Sequence, residues 1–191
     1  MPNSKLALDV WDSCCIIGIL NAEKDKLPAL LSQTRLFESG GAMLGIPIAA
    51  LPEIVTLSDG TPAEQKVRAF MDNPYVVPLQ STLDVSYKSV NLRYRFDSAR
   101  MPELKTKAIA AGVPPDRANK LTVKDSEILA TALVYNADRL TTYDPFLIFL
   151  GKEYLTPETG LIISSPDSPF LPFPEENNSF LLETKRKINL V

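Results

Sequence analysis

The sequence predicts an α/β fold with a mainly parallel central sheet. Short apolar segments typical of buried strands alternate along the chain with segments whose apolar residues recur at helical spacing. The chain has 191 residues, of which 45% are hydrophobic and 23% are charged, a composition and length that suit one globular domain. In open parallel sheets the functional groups lie at the carboxyl ends of the strands, so these ends are where a site is expected.

Five short segments have the apolar character of strands. They are residues 6–11, 46–49, 75–79, 139–142 and, with a weaker pattern, 161–164. The segments between them have the spacing of helices. These helices are predicted at 14–21, at 27–39, from Pro52, after residue 61, at 82–96, at 102–112 and from Asp125.

Local signals mark the ends of the helices in the first half of the chain. Asp12-Ser13 ends the first strand with a hydroxyl suited to capping the next helix. Pro28 falls in the first turn of the second helix, and Gly40-Gly41 stops it. Pro52 stands where a helix tolerates proline, and Thr61-Pro62-Ala63-Glu64 is a capping box that opens a further helix.

The second half contains the most regular helical pattern. This pattern is in the helix predicted from Asp125. Its apolar residues lie at i+3, i+4, i+7 and i+8 from Asp125, which are Ile128, Leu129, Ala132 and Leu133. The earlier helix at 82–96 has apolar side chains that share one face, those of Leu83, Tyr87, Val90 and Tyr94. Residues 114–119 read as a turn or a short helix, and the proline-rich stretch 165–174 reads as an extended tail.

The composition excludes several classes of enzyme. The chain has no histidine, which excludes Ser-His-Asp triads, Cys-His dyads and histidine-ligated zinc. Its two cysteines, Cys14 and Cys15, are adjacent, and an ordinary disulfide between neighbours is sterically disfavoured. Without a signal-peptide pattern or an apolar run of about 20 residues, we expect a cytoplasmic protein with no membrane segment.

The charge is distributed unevenly. The net charge is −3 and the pI is about 5.1, yet residues 86–124 contain nine basic residues and only three acidic ones. A basic stretch in an acidic protein can attract a polyanion locally, although a solvated helix surface has the same composition. Within this stretch, Arg93, Arg95 and Lys124 are candidates for contacting the backbone of such a polyanion.

Four carboxylates share one position in the predicted topology. Asp12 and Asp144 follow the first and fourth strands, Glu53 follows the second, and Asp125 starts the patterned helix. Each acid alone could be an ordinary helix cap. In a parallel sheet, however, strand ends and helix starts fall along one edge, so the four can meet. Asp9, inside the first strand, is an alternative that is less well placed.

A cluster of carboxylates needs a counterion, because the charges repel one another and burial raises their pKa values. Mg²⁺ and Mn²⁺ prefer oxygen ligands, and such an ion can activate water and stabilise charge on a phosphoryl oxygen. The sequence therefore predicts phosphodiester hydrolysis at Asp12, Glu53, Asp125 and Asp144. Ser13 could cap the first helix, orient Asp12 or do both, and Thr142 could orient a ligand or simply favour the strand.

These segments resemble the PIN-domain family of nucleases. The matches are Val10-Trp11-Asp12-Ser13-Cys14-Cys15, the segment from Ile46 to Ile54 with Glu53, the segment from Asp125 to Leu133, and Thr142-Tyr143-Asp144. The resemblance covers residues 6–150, and its most specific part is the Asp125 helix followed by Thr142-Tyr143-Asp144. There are departures at Ser126 and Ile128, in a longer link at 98–122, and in the segment after residue 151.

The resemblance implies a three-layer α/β/α sandwich and Mg²⁺- or Mn²⁺-dependent cleavage of RNA. It also implies the toxin of a toxin–antitoxin pair, of the virulence-associated protein C (VapC) type. Such toxins are often homodimers and are inhibited by a small antitoxin protein. On this basis residues 1–151 form the PIN-like domain, and residues 152–191 form a proline-rich, partly irregular C-terminal extension.

Other functions fit the sequence less well. An aspartyl phosphatase expects Asp-x-Asp after the first strand, whereas Asp9 and Asp12 are three residues apart. A receiver-type domain expects adjacent acids there, and a nucleotide-binding module expects a glycine-rich phosphate loop; the sequence contains neither. The remaining alternative is a PIN-like scaffold that binds RNA or protein without cutting, which a metal-dependent cleavage assay would distinguish.

Overall fold

A parallel sheet forms the centre of the protein. The computed structural model describes residues 6–57 and 63–168. Within these ranges the strands are β1 (Ala7–Trp11), β2 (Ala42–Pro47), β3 (Val76–Leu79), β4 (Arg139–Thr141) and β5 (Ile162–Ser164). They form one sheet in the order β3-β2-β1-β4-β5, and every pairing is parallel. The predicted α/β class with a parallel sheet is therefore confirmed.

Helices alternate with these strands and form the outer layers of an α/β/α sandwich. They are α1 (Ser13–Leu20), α2 (Leu27–Glu38), α3 (Leu51–Leu57), α4 (Ala63–Met71), α5 (Leu83–Arg95), α6 (Pro102–Ala110), α7 (Val123–Val134), α8 (Pro145–Leu150) and α9 (Thr156–Thr159). None of the helices within the described ranges is both long and apolar enough to cross a bilayer. The predicted turn at 114–119 is confirmed, while the capping residues Thr61 and Pro62 lie outside the described residues.

The second strand differs from its prediction at both ends. It was expected at 46–49, but β2 runs from Ala42 to Pro47, and Ile48–Ala50 forms a turn of 3₁₀-helix. The strand begins early because α2 ends at Glu38, and Gly40, whose φ is +77°, turns the chain directly toward the sheet. Gly45 interrupts the apolar strand pattern, and it lies where space is tight, since a Cβ would be 2.8 Å from Leu79 Cδ1 and 3.1 Å from Leu8 Cδ1.

The sequence of helix α5 suggests one apolar face, but the opposite face is the one that packs against the protein. Leu83, Tyr87, Val90 and Tyr94 do share one face, but all four are exposed. The buried face consists of Val85, Ser89, Leu92 and, just past the helix, Phe96. It contacts α7, where the buried hydroxyls of Ser89 and Ser126 are 2.9 Å apart and form a hydrogen bond. That bond satisfies both hydroxyls and allows the more polar face to be buried.

Helix α7 starts two residues earlier than predicted. Thr122 is its N-cap, so Asp125 is not the first residue of the helix but lies within its first turn. Thr122 and Asp125 form a reciprocal capping box, in which each side chain bonds the other residue's backbone N–H. The apolar residues that predicted this helix, Ile128, Leu129 and Ala132, are fully buried.

The chain beyond residue 150 adds to the same core. A π-helical turn, Gly151–Leu155, leads through α9 to β5, which pairs with β4 and confirms the weakest of the predicted strands. Leu155, Leu161 and Ile163 are buried, so residues 152–164 pack with the preceding part of the chain. Of the predicted tail at 165–174, only residues 165–168 are described.

A buried ion pair joins β1 to β4 below the ends of the strands. Asp9 is fully buried and accepts hydrogen bonds from the Arg139 guanidinium, the Thr141 hydroxyl at 2.8 Å and the Trp11 indole at 3.2 Å. Arg139 also donates to Gln33 in α2. Asp9, the alternative metal ligand considered from the sequence, is therefore committed to the core.

We predict that Asp9→Asn destabilises the fold by about 3–5 kcal/mol, because it leaves the buried Arg139 charge without its counter-charge. Urea denaturation at neutral pH measures the change. The exposed variant Asp72→Asn is the control and should cost less than about 0.5 kcal/mol. Equal stability of the Asp9→Asn protein and the wild type would show that the ion pair does not stabilise the fold.

Candidate active site

The end of β1 brings the first predicted acid to the edge of the sheet. Trp11 pairs with Thr141, and the Asp12 backbone N–H donates to the Thr141 carbonyl at 3.0 Å. The Asp12 carboxylate is only 6% exposed. It accepts hydrogen bonds from the Thr142 hydroxyl at 2.7 Å and from the Cys14 thiol at 3.2 Å. Asp12 is thus held by groups from two neighbouring strand ends.

Ser13 connects Asp12 to Glu53. Its hydroxyl oxygen is 2.6 Å from Glu53 Oε2 and 3.2 Å from Asp12 Oδ1. A hydroxyl has one proton, so the shorter contact receives the stronger hydrogen bond and the two acids compete for it. Ser13 is the first residue of α1, but Asp12 at the N-cap makes no side-chain capping bond. Ser13 therefore links two acids rather than capping the helix.

Glu53, in the first turn of α3, faces a cation. Lys124 Nζ lies 3.0 Å from Glu53 Oε2. Partial burial opposes ionisation of Glu53, but the hydrogen bonds from Ser13 and Lys124, together with the lysine charge, hold the pKa of this carboxyl below its ordinary value. Glu53 is therefore ionised at neutral pH and already has a counter-charge.

Asp125 has the opposite electrostatic environment. Its Oδ2 accepts a hydrogen bond from the Thr122 hydroxyl at 2.6 Å. Burial raises the pKa of Asp125, and the negative charges of Asp144 and Asp12 act in the same direction, against the Thr122 hydrogen bond. Asp125 is thus a buried acid whose neighbours add negative charge, an environment that is common for acids at functional sites.

Asp144 is held by the backbone of the helix that it starts. As the N-cap of α8, its Oδ1 accepts from the N–H groups of Phe146 at 2.7 Å and Leu147 at 2.9 Å. The Asp144 N–H in turn donates to the Thr142 hydroxyl oxygen at 2.9 Å. Thr142 thus donates to Asp12 and accepts from Asp144, which fixes the two acids relative to each other.

All four predicted acids line a single cavity of about 650 Å³. Ser13 and Lys124 also line it, and Thr142 lies directly behind Asp12. Arg93 and Arg95, the other predicted RNA-binding residues, are not among its lining residues, and Arg95 makes two hydrogen bonds to Glu158. The cavity thus contains the predicted acids and one of the three predicted cations.

The cavity also contains residues that were not singled out from the sequence. These are Cys14, Pro114, Asp116, Arg117, Thr122, Tyr143 and Pro145. Arg117 is 63% exposed, and its Nη1 lies 3.9 Å from Asp144 Oδ2. It belongs to the 98–122 link, whose unusual length was the one available signal that this part of the chain has a special role.

The acids have the donor chemistry of a divalent-cation site, since carboxylate oxygens are the ligands that Mg²⁺ and Mn²⁺ prefer. In the described ranges, however, no three acidic or thiol side chains are arranged to ligate one ion directly. Each acid is instead held by its own donors, as Glu53 is by Ser13 and Lys124. Mg²⁺ usually keeps several waters, so this spacing fits an ion bound partly through water.

The fold is similar to that of known toxin structures. No family model matches the sequence, and no curated protein is significantly similar to it. A structure of VapBC2 from Rickettsia felis bound to a DNA fragment from its promoter matches with a TM-score of 0.52, at 15% identity, over 83% of this chain and 98% of that one.

A second structure is VapC20 from Mycobacterium tuberculosis, described as a toxin that cleaves the sarcin–ricin loop. It matches with a TM-score of 0.50, at 15% identity, over 69% of this chain and 86% of that one. At such low identity these similarities show the fold alone. The protein therefore has the PIN-type fold of VapC proteins, as the sequence resemblance implied.

We predict that Asp125→Asn raises the melting temperature at pH 7 in the presence of EDTA. The raised pKa of Asp125 means that its ionised form destabilises the folded protein, and the neutral amide keeps an acceptor for Thr122. This advantage should shrink as the pH falls toward 3.8, the ordinary aspartate value, where the wild-type carboxyl is protonated as well.

Differential scanning calorimetry between pH 4 and pH 7 measures this difference. Asp84→Asn is the matched control, because Asp84 is an exposed acid in the first turn of α5 and its charge interacts favourably with the helix dipole. The control should not raise the melting temperature. A fall in melting temperature for Asp125→Asn at pH 7 would contradict the electrostatic description of the cavity.

Proposed function

We propose that this protein is a metal-dependent endoribonuclease that hydrolyses RNA phosphodiester bonds. The observation that carries the proposal is that Asp12, Glu53, Asp125 and Asp144, from four separate elements, line one cavity. A buried structural network would pair every acid with a cation, as Asp9 is paired with Arg139. Here burial raises the pKa of Asp125, the charges of Asp144 and Asp12 act in the same direction, and no cation is paired with Asp125 among the contacts described above, which favours a site that receives a cation.

The four acids are proposed to hold Mg²⁺ or Mn²⁺ directly or through water. When bound, such an ion activates water and stabilises charge on a phosphoryl oxygen. Ser13 and Thr142 orient the carboxylates, because their hydroxyls bond Glu53 and Asp12. Asp125, with its raised pKa, is the acid best placed to accept a proton from an attacking water molecule.

The cations of the cavity are proposed to hold the RNA backbone. Lys124 and Arg117 both line the cavity, and each contacts one of the acids. Phosphate contacts of this kind position a nucleic acid without reading its sequence. Arg93 and Arg95 remain candidates for contacts farther along the RNA, although Arg95 would have to leave Glu158.

The biological setting is proposed from the fold. The Rickettsia structure described above contains the VapB and VapC partners, and the Mycobacterium protein is described as a toxin. On this basis we propose that the chain is the toxin of a toxin–antitoxin pair in the cytoplasm, with a small antitoxin protein as partner and a homodimer as its assembled form.

We expect the purified protein to cleave mixed single-stranded RNA with Mg²⁺ or Mn²⁺ and to be inactive in EDTA. Asp125→Asn should lower the rate by about 10–100-fold or more, since it removes a carboxylate from the metal site. Gel analysis of labelled RNA measures both effects. The Asp84→Asn protein is the control and should cleave at the wild-type rate.

A binding measurement separates this proposal from a non-cleaving scaffold. Mn²⁺ should raise the melting temperature of the wild type. At a concentration 100 times its dissociation constant, the ion should stabilise the folded protein by about 2.7 kcal/mol. The rise in melting temperature should be smaller for Asp125→Asn. RNA binding without metal stabilisation and without cleavage, in a folded protein, would favour the scaffold. Metal stabilisation without cleavage would indicate a narrow RNA target that the mixed substrate lacks.

Arg117→Ala should raise KM for RNA more than it lowers kcat, because it removes a contact to the backbone rather than to the reacting atoms. The slope of log KM against log salt should fall by about 1, the loss of a single phosphate contact. Lys107→Ala, at an exposed position in the same basic segment but outside the cavity lining, is the control. Unchanged kinetics for Arg117→Ala would place the RNA elsewhere.

A further inference from the structure

Lys124 occupies a position in α7 where its charge is unfavourable for the helix. It is the second residue after the N-cap Thr122 and lies within the first turn. The N-terminus of a helix carries partial positive charge, so acidic residues are favoured there and a lysine works against the helix dipole. A residue that conflicts with its local surroundings is expected where function requires it. The position of Lys124 thus indicates a role outside its own helix.

The Lys124 ammonium lines the cavity and contacts the carboxylate of Glu53. Both side chains are more than half buried, since that of Lys124 is 39% exposed and that of Glu53 is 28% exposed. Lys124 Nζ lies 3.0 Å from Glu53 Oε2, and the Ser13 hydroxyl donates to the same oxygen at 2.6 Å. A carboxylate oxygen has two lone pairs, so these two donors satisfy Oε2.

A divalent ion and Lys124 compete for this carboxylate oxygen. Mg²⁺ carries two charges and ligates oxygen at about 2.1 Å. Because the ammonium lies 3.0 Å from Oε2, an ion on that oxygen would meet a like charge at close range, in a partly buried site where the solvent screens it weakly. Lys124 would have to leave before an ion could bind there. The contact between Lys124 and Glu53 therefore disfavours an ion at Glu53.

The three aspartates of the cavity have partners of a different kind. The described groups that donate to Asp12, Asp125 and Asp144 are hydroxyls, a thiol and backbone N–H groups, which are all neutral. Arg117 approaches Asp144 only to 3.9 Å, which is beyond hydrogen-bond distance, and it is 63% exposed. A divalent ion is therefore attracted to the part of the cavity that the three aspartates form.

We propose that Lys124 is a built-in cation that takes the place of a second metal ion at Glu53, so that the cavity binds one divalent ion at its three aspartates. In two-metal hydrolases the second ion stabilises charge on the oxygens of the reacting phosphate. Lys124 has three N–H donors and gives one to Glu53, so two remain for a phosphate oxygen. This inference rests on the proposed function and narrows its metal site from four acids to three.

The number of bound ions tests this proposal without any measurement of activity. Electron paramagnetic resonance of free Mn²⁺, during titration of the full-length protein, counts the ions bound per chain. The wild type should bind one ion. Asp125→Asn should weaken its binding by about 10–100-fold, whereas Glu53→Gln should weaken it by less than about 10-fold, because Glu53 contacts Lys124 rather than the ion.

Removal of the lysine charge should create a second site. Lys124→Met keeps most of the length of the side chain but leaves Glu53 without its cation, so this protein should bind a second Mn²⁺ ion. Adding Glu53→Gln to Lys124→Met should remove that second ion. Lys124→Arg keeps the charge and should bind one ion. Lys107→Met, at an exposed position outside the cavity lining, is the matched control and should also bind one ion.

Circular dichroism establishes that each variant is folded, and Lys124→Gln provides a second removal of the charge. The proposal is overturned by two Mn²⁺ ions on the wild type, by a single ion on both Lys124→Met and Lys124→Gln, or by a second ion that persists after Glu53→Gln. A wild type that binds no Mn²⁺ would overturn the proposed metal-dependent function and this inference together. One bound ion without RNA cleavage would support the inference and count against the proposed activity alone.

Discussion

The parallel pairing of β1 between β2 and β4 is the constraint on which the candidate site depends. It places the end of β1 beside the end of β4, so that Asp12 meets Thr142 and, through it, Asp144. The buried pair of Asp9 and Arg139 supports this register from below, since it joins the same two strands. A shift by one residue would turn every side chain of one strand to the other face and separate the acids.

The four acids of the cavity are not electrostatically equivalent. Glu53 has Lys124 as a partner, and its pKa is held low; Asp125 faces Asp144 and Asp12, and its pKa is raised. When two acids in one cavity have pKa values shifted in opposite directions, they usually have different chemical roles. A cation would gain the most interaction energy on the Asp125 side, where negative charge is least compensated, while Glu53 is better suited to anchoring Ser13 and Lys124. In the proposed site, the excess negative charge is therefore located beside Asp125.

The sequence was sufficient to predict that the four acids lie at one edge of the sheet, but not which groups surround each of them. The ends of β1 and β4, and the regular pattern of α7, are set by local residue choice, so a parallel sheet was enough to gather Asp12, Asp125 and Asp144 at one edge. The capping of Asp125 by Thr122 and the approach of Arg117 depend on how the 98–122 link folds back, which no local pattern encodes. The start of β2 was missed because Gly45, which lies close to the side chains of Leu79 and Leu8, interrupts its apolar pattern.

The packing of α5 shows why apolar periodicity alone can select the wrong face. Both faces have the same spacing, and the outer one is the more apolar, yet the inner face is the buried one, and there Ser89 forms a hydrogen bond with Ser126 on α7. This hydrogen bond removes the cost of burying two unpaired hydroxyls, so Ser89 does not prevent the inner face from packing beside Val85 and Leu92.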